Sequence, residues 1–218
     1  MPHFVNGSEE YAISTSYKVL YSLLNHHAAL AMVSPERLQF ATYWSQFRRQ
    51  RQRFLLVRDP YKRIESFFKD KLRKHPSKRL IPYDELQACQ RILCSHLEIN
   101  ADDSPAEIQS KLLNVSFDRF IGLLPRIHHL EAHLHPQVWT RRVYWSDRAV
   151  WSISFSRVLK VESPTDMDYL EKRLLVDMCV NHNTTDSVPL PDPWSRESRA
   201  VVNEVYQPDF ERFGYEMK

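Results

Sequence analysis

Glycine is nearly missing from this chain: Gly7, Gly122 and Gly214 are all there is in 218 residues. Neither G-x-x-x-x-G-K-[ST] nor G-x-G-x-x-G can be written with them, so a nucleotide held here is held without a glycine-rich cradle. Cysteine is as scarce. Cys89, Cys94 and Cys179 are too few and too scattered for a disulfide framework or a zinc knuckle. That predicts a reducing compartment, the cytoplasm. No apolar run approaches the roughly 20 residues a membrane helix needs, and no charged-then-apolar leader opens the chain. Core-forming residues are plentiful, with 43% hydrophobic and 12% aromatic. This argues against a disordered tail and for a single domain spanning residues 1–218.

The net charge of +3 hides an asymmetry. Residues 48–79 carry 13 Lys and Arg against Asp59, Glu65 and Asp70, which leaves 17 basic and 24 acidic residues elsewhere. A basic block inside an acidic protein is where an anion is drawn. A solvated helix face rich in lysine has the same composition, so charge alone does not decide.

Ser14-Thr15-Ser16 ahead of the apolar residues of 17–24 predicts a hydroxyl-capped helix running toward Met32. A second helix is expected over 35–48. Phe54-Leu55-Leu56-Val57 is a continuous apolar run bounded by charge, the pattern of a strand buried on both faces. It ends at Arg58-Asp59-Pro60, where Asp at the N-cap and Pro at the first helical position start a helix to Leu72. Tyr61, Ile64, Phe67, Phe68 and Leu72 trace its buried side. A basic loop follows over 73–83, then helices over 84–98, 105–113 (opened by the Ser104-to-Glu107 capping box) and 117–124. A strand is expected over 158–161, a helix over 166–181, an extended loop at Pro189, Pro191 and Pro193, and a last helix from Ser195 to Tyr206. Helices alternating with sparse apolar strands predict an α/β domain around a central parallel sheet flanked by helices.

The informative segment is 54–69. Arg58 sits at the carboxyl end of a parallel strand, where open α/β sheets bind ligands, and its guanidinium presents a fork of donors suited to phosphate oxygens. Ser66, eight residues on, falls in the second turn of the next helix. Lys62, Arg63, Lys69 and Asp70 are expected to share its polar face by three- and four-residue spacing. An arginine before a helix and a hydroxyl on it can grip one phosphate. Ordinary capping plus surface charge is the plain alternative.

The run Arg58-Asp59-Pro60-Tyr61-Lys62-Arg63-Ile64-Glu65-Ser66-Phe67-Phe68 resembles the R-D-P-x-x-R-x-x-S-x-[YF] segment of the carbohydrate sulfotransferases. His133-Leu134-His135-Pro136-Gln137 is similar to that family's H-W-x-P-Q element. The tail from Val205 to Tyr215 is similar to its terminal Y-x-x-D-F-x-x-F-G-Y, and Lys160-Val161-Glu162 to its K-x-E stretch. The resemblance implies a sulfotransferase-type, P-loop-like fold without a Walker loop. It also implies the donor 3′-phosphoadenosine 5′-phosphosulfate (PAPS), with Arg58 and Ser66 on its 3′-phosphate. The family's first phosphate loop reads roughly P-K-x-[GA]-C-[ST]-x-[WL]-K. Here Glu10-Tyr11 stands where Pro-Lys is expected, which withholds the ammonium that steadies the leaving group. Ser14, Thr15 and Ser16 remain to meet the 5′ end through hydroxyls and backbone N–H groups, with Lys18 as the cation that reaches back.

The activity implied is transfer of a sulfuryl group from PAPS to a hydroxyl acceptor on a carbohydrate. It needs an aligned acceptor, charge neutralisation on the leaving phosphate and a base for the hydroxyl proton. No metal is required where cationic side chains supply the charge. His133 is the expected base, with His135 its rival, because an imidazole titrates near the working pH. His129 and His133 are four apart, but His-Leu-Glu-Ala-His is not the H-E-x-x-H of zinc hydrolases and Pro136 breaks the helix behind it. Two other readings stay open. One is a relative that keeps the fold and the nucleotide without turnover. The other is nucleic-acid binding by 48–79, with Tyr43, Trp44, Phe47 and Phe54 as stacking groups.

Overall fold

The computed structural model describes residues 2–6, 10–28, 30–34, 49–50, 52–73, 80–145, 148–174 and 194–218. The strands are β1 (His3–Asn6), β2 (Tyr11–Thr15), β3 (Leu30–Ser34), β4 (Gln52–Val57), β5 (Arg142–Trp145), β6 (Arg148–Ser152) and β7 (Arg157–Lys160). The α-helices are α1 (Tyr21–Asn25), α2 (Pro60–Leu72), α3 (Ala88–His96), α4 (Pro105–Leu113), α5 (Phe117–Ile127), α6 (Pro164–Leu174), α7 (Arg196–Val205) and α8 (Gln207–Phe213). No helix among the described residues is long and apolar enough to cross a membrane. The chain folds as two compact units: 1–59 with 136–184 and 211–215, and 60–135 with 185–210 and 216–218.

The first unit holds a mixed five-stranded sheet in the order β3-β1-β2-β4-β7, flanked by helices. β2, β4 and β7 run parallel, with Thr15 opposite Leu56 and Val57 opposite Lys160. β1 is antiparallel to both β2 and β3. β5 and β6 form a separate antiparallel pair. Side chains alternate across a strand, and the core follows that alternation. Tyr11, Ile13, Phe54 and Leu56 pack on one face with Leu23 and Leu24 of α1 and Leu170 and Leu174 of α6. Ala12 packs with Ile153, and Leu55 and Val57 with Phe213.

The parallel centre is as the sequence predicts, and β4 extends the expected run by two residues. The expectation over 14–32 fails. Ser14 and Thr15 do not cap a helix; they belong to β2, all of whose residues are buried. Their hydroxyls are satisfied inside the protein, Ser14 Oγ by His3 Nδ1 at 2.7 Å and Thr15 Oγ1 by donating to the Val19 carbonyl at 2.7 Å. The His3–Ser14 bond joins side chains directly opposite in the β1–β2 register. The helix shrinks to the five residues of α1, entered through Leu20 in the left-handed region with no side-chain cap, and β3 takes up the rest.

The second unit is helical. α2 begins at Pro60, and Ser104, Ser116 and Ser195 cap α4, α5 and α7, as their sequence signals predict. The Ser104–Glu107 capping box is complete; such caps contribute on the order of 1 kcal/mol each. α3 is shorter than expected, preceded by a 3-10 turn at Tyr83–Glu85, and α5 runs through Pro125 to Ile127. An aromatic core joins these elements, with Phe67 stacked on Phe120 at 5.7 Å, Phe68 edge-on to Phe117 at 5.1 Å and Trp194 edge-on to Phe117 at 4.8 Å. The expected helix over 35–48, the end of the helix over 166–181 and the triple-proline loop lie outside the described residues.

Candidate functional site

Because β2, β4 and β7 are parallel and in register, their carboxyl ends deliver Ser16, Arg58 and Glu162 to one edge of the sheet. This is the edge where open α/β sheets bind ligands. Arg58 is the first residue beyond β4, and side chains from elsewhere grip its backbone. Its N–H donates to Gln137 Oε1 at 2.9 Å, and Gln137 Nε2 donates to its carbonyl at 2.7 Å. The next N–H, of Asp59, donates to Glu162 Oε1 at 3.1 Å. Glu162 is fixed in turn by the Tyr215 hydroxyl at 3.1 Å.

The Arg58 guanidinium is half-buried. Its Nη1 donates to the Lys18 carbonyl at 3.2 Å, and its Nε lies 3.8 Å from Glu162 Oε1. A pair this long and this exposed contributes little to stability; its effect is to aim the guanidinium. Lys18 presents that carbonyl from a left-handed turn, with φ of 69° at Lys18 and 52° at Leu20, a conformation that costs roughly 1–2 kcal/mol per residue without glycine. Ser16 Oγ reaches the same Gln137 Oε1 at 3.5 Å. The structure therefore gathers Ser16 and Arg58 on one glutamine and sets the Lys18 carbonyl against the Arg58 guanidinium.

Tyr11 is buried against Phe54, ring centroids 6.3 Å apart. Burial, reinforced by the neighbouring Glu10 carboxylate, pushes its phenol up from the usual value. It offers no charge to the carboxyl edge. Phe54 is 1% exposed, which removes it as a base-stacking group; Tyr43, Trp44 and Phe47 lie outside the described residues.

In the second unit Ser66 is half-buried in the second turn of α2, Lys62 is exposed, and Lys69 pairs with Glu65 at 2.5 Å. One expectation for this helix is corrected. Arg63 is not on the polar face; it is fully buried. Its Nη1 donates to the His133 carbonyl at 2.9 Å, its Nη2 lies 4.0 Å from Asp209, and its guanidinium sits 5.1 Å from the centre of the Tyr206 ring. A guanidinium taken out of water costs several kcal/mol unless it is paired, so α2 turns this position inward toward a carboxylate, a carbonyl and a ring. The Tyr206 hydroxyl donates to the next carbonyl, of Leu134, at 2.8 Å.

His133 Nδ1 is 2.5 Å from Glu131 Oε1, and the His133 backbone N–H donates to the same oxygen at 3.0 Å. Burial alone would raise the Glu131 carboxyl, but these two hydrogen bonds outweigh it and hold the group below the usual carboxylate range. An ionised Glu131 keeps the ring proton on Nδ1 and the lone pair on Nε2, the tautomer a proton acceptor needs. His135 instead turns Nε2 toward the His129 carbonyl at 3.2 Å, and burial lowers it to about 4. An imidazole so weakened is a poor base at neutral pH, which favours His133 of the two.

Gln137, Glu162 and Tyr215 were visible in the sequence only as letters of matched stretches, without roles. The available signal was that a buried carboxamide carries both a donor and an acceptor. A model of the sulfotransferase family matches residues 14–216. No curated protein and no solved structure matches the chain.

Proposed function

The chain belongs to the sulfotransferase family, and from that premise we propose that it transfers the sulfuryl group of PAPS to a hydroxyl on a carbohydrate acceptor. The observation that carries the reading is the placement of Arg58. It stands just beyond a parallel strand at the ligand-binding edge, its main chain clamped by Gln137 and its guanidinium laid against Lys18.

Arg58 and Ser66 take the donor's 3′-phosphate, an assignment that rests on their order in the 58–68 segment. The segment 14–18 faces the 5′ end. The Ser14, Thr15 and Ser16 hydroxyls are all engaged inside the protein, so the phosphosulfate is assigned to the main chain of this segment and to the Lys18 side chain. In the transfer, an acceptor hydroxyl oxygen forms a bond to sulfur as the sulfur's bond to the phosphate oxygen breaks. The hydroxyl proton passes to His133, and adenosine 3′,5′-bisphosphate leaves. General-base assistance of this kind contributes about a hundred- to ten-thousand-fold.

Thermal stabilisation tests the reading. Adenosine 3′,5′-bisphosphate should raise the melting temperature, and AMP and single-stranded DNA should not. A shift with DNA alone would replace the proposal with nucleic-acid binding. Transfer of radiolabelled sulfate from PAPS to mixed glycans then separates a working enzyme from a relative that binds nucleotide without turnover.

A further inference from the structure

We propose that Gln137 is the positioning residue that makes Arg58 selective for a nucleotide phosphorylated at the 3′ position. This rests on the reading of Arg58 given above. Arg58 lies one residue past the end of two ladders: β2 pairs with β4 as far as Leu56, and β7 as far as Val57. Its own N–H and carbonyl have no strand to meet. The Gln137 carboxamide serves as a one-residue strand in their place, its oxygen accepting at 2.9 Å and its nitrogen donating at 2.7 Å. The reciprocal pairing dictates which end of the amide faces which group, so the side chain has a single productive orientation.

Two further features make that orientation rigid. Gln137 is 1% exposed and opens a 3-10 turn directly after Pro136, whose ring fixes the approach of the chain. Its Oε1 also receives Ser16 Oγ at 3.5 Å. One amide therefore sets the spacing between the segment assigned to the 5′ end and the arginine assigned to the 3′-phosphate. A guanidinium on a flexible stem discriminates only when its root is held to within about half an ångström by such supporting bonds. Gln137 contributes no charge to the ligand; it acts through Arg58.

The test is the ratio of affinities for adenosine 3′,5′-bisphosphate and AMP, measured by calorimetry on the full chain. Two variants are compared with the parent. Gln137→Met keeps the volume and removes both polar atoms, and Gln137→Asn keeps both polar atoms but is one methylene too short. Each should lower the preference for the bisphosphate about tenfold, the loss falling far more on the bisphosphate than on AMP, whereas mere loosening of the fold would weaken both alike. Variants that bind both nucleotides with the parent's ratio would overturn the role of Gln137 while leaving Arg58 in place. A parent that shows no preference would overturn the reading of Arg58 and this inference with it.

Discussion

The buried guanidinium of Arg63 donates a hydrogen bond to the main-chain carbonyl of His133, 70 residues away in sequence, at 2.9 Å. Tyr206 secures the adjacent carbonyl of Leu134, and Asp209 supplies the countercharge. Residues from three stretches that resemble family motifs separately, at 58–68, 133–137 and 205–215, thus meet within one unit, and what Arg63, Tyr206 and Asp209 jointly fix there is the loop that carries the proposed base. Another set meets in the other unit, where Gln137, Glu162 and Tyr215 fix the main chain at Arg58 and Asp59. In both places motif residues to which no ligand contact is assigned hold those to which one is.

Asp209→Leu alone should be strongly destabilising, by roughly 3–5 kcal/mol, because it strands a buried cation. Arg63→Met with Asp209→Leu removes both charges, and the pair should cost less than either single change. Urea denaturation of the four proteins gives the coupling. Additive losses would mean that the 4.0 Å pair is not the partner that offsets Arg63's burial.

His133→Ala should lower turnover at least a hundredfold while changing the affinity for adenosine 3′,5′-bisphosphate little. Glu131→Gln should shift the pH dependence of turnover, since a neutral amide no longer favours the proton on Nδ1. His135→Gln should leave turnover near the parent's level. Equal losses of turnover and donor affinity in His133→Ala would assign that ring to the fold.

How much of this was legible beforehand depends on whether the signal was local. β4 was, because four consecutive apolar residues between charges have few other fates, and so was α2, because Asp-Pro is a local start signal. The capping residues Ser104, Ser116 and Ser195 are equally local. β2 was hidden because Ser14 and Thr15 are good caps and also good strand residues once His3 and the Val19 carbonyl bond them; His3 lies on another strand, and a main-chain carbonyl leaves no mark in the residue pattern. The burial of Arg63 was hidden for the same reason: its partners are 70 to 146 residues away, and its helical spacing from Ser66 argued for the opposite face. The order of Arg58 and Ser66 was readable; the clamp that holds Arg58 was not.

Acid should weaken the fold through two imidazoles, His3 fully buried and His135 half-buried. Burial lowers His3 to about 3 and His135 to about 4, from 6.5. Between those values the unfolded chain binds protons that the folded chain refuses, so stability is complete above about pH 6.5 and declines as pH falls toward 3. The slope approaches ~1.4 kcal/mol per pH unit for each group. His3→Gln can still bond Ser14 but cannot titrate, so its urea midpoint should fall less steeply between pH 6.5 and 4 than the parent's. Parallel midpoints would show that His3 protonates without penalty.

Arg58→Ala should abolish measurable binding of adenosine 3′,5′-bisphosphate and leave the melting temperature within a few degrees of the parent's. The reason is structural. Gln137 and Glu162 bond the backbone at 58 and 59, which alanine retains, and the side chain's approach to Glu162 and its bond to the Lys18 carbonyl are long and half-exposed. Little stability is lost, but the donor fork is. Arg58→Lys keeps the charge without the fork and should recover only part of the affinity, because an ammonium meets phosphate as a point and not as a matched pair of bonds. Calorimetry on the three proteins decides it, and undiminished affinity in Arg58→Ala would move the nucleotide away from this edge of the sheet.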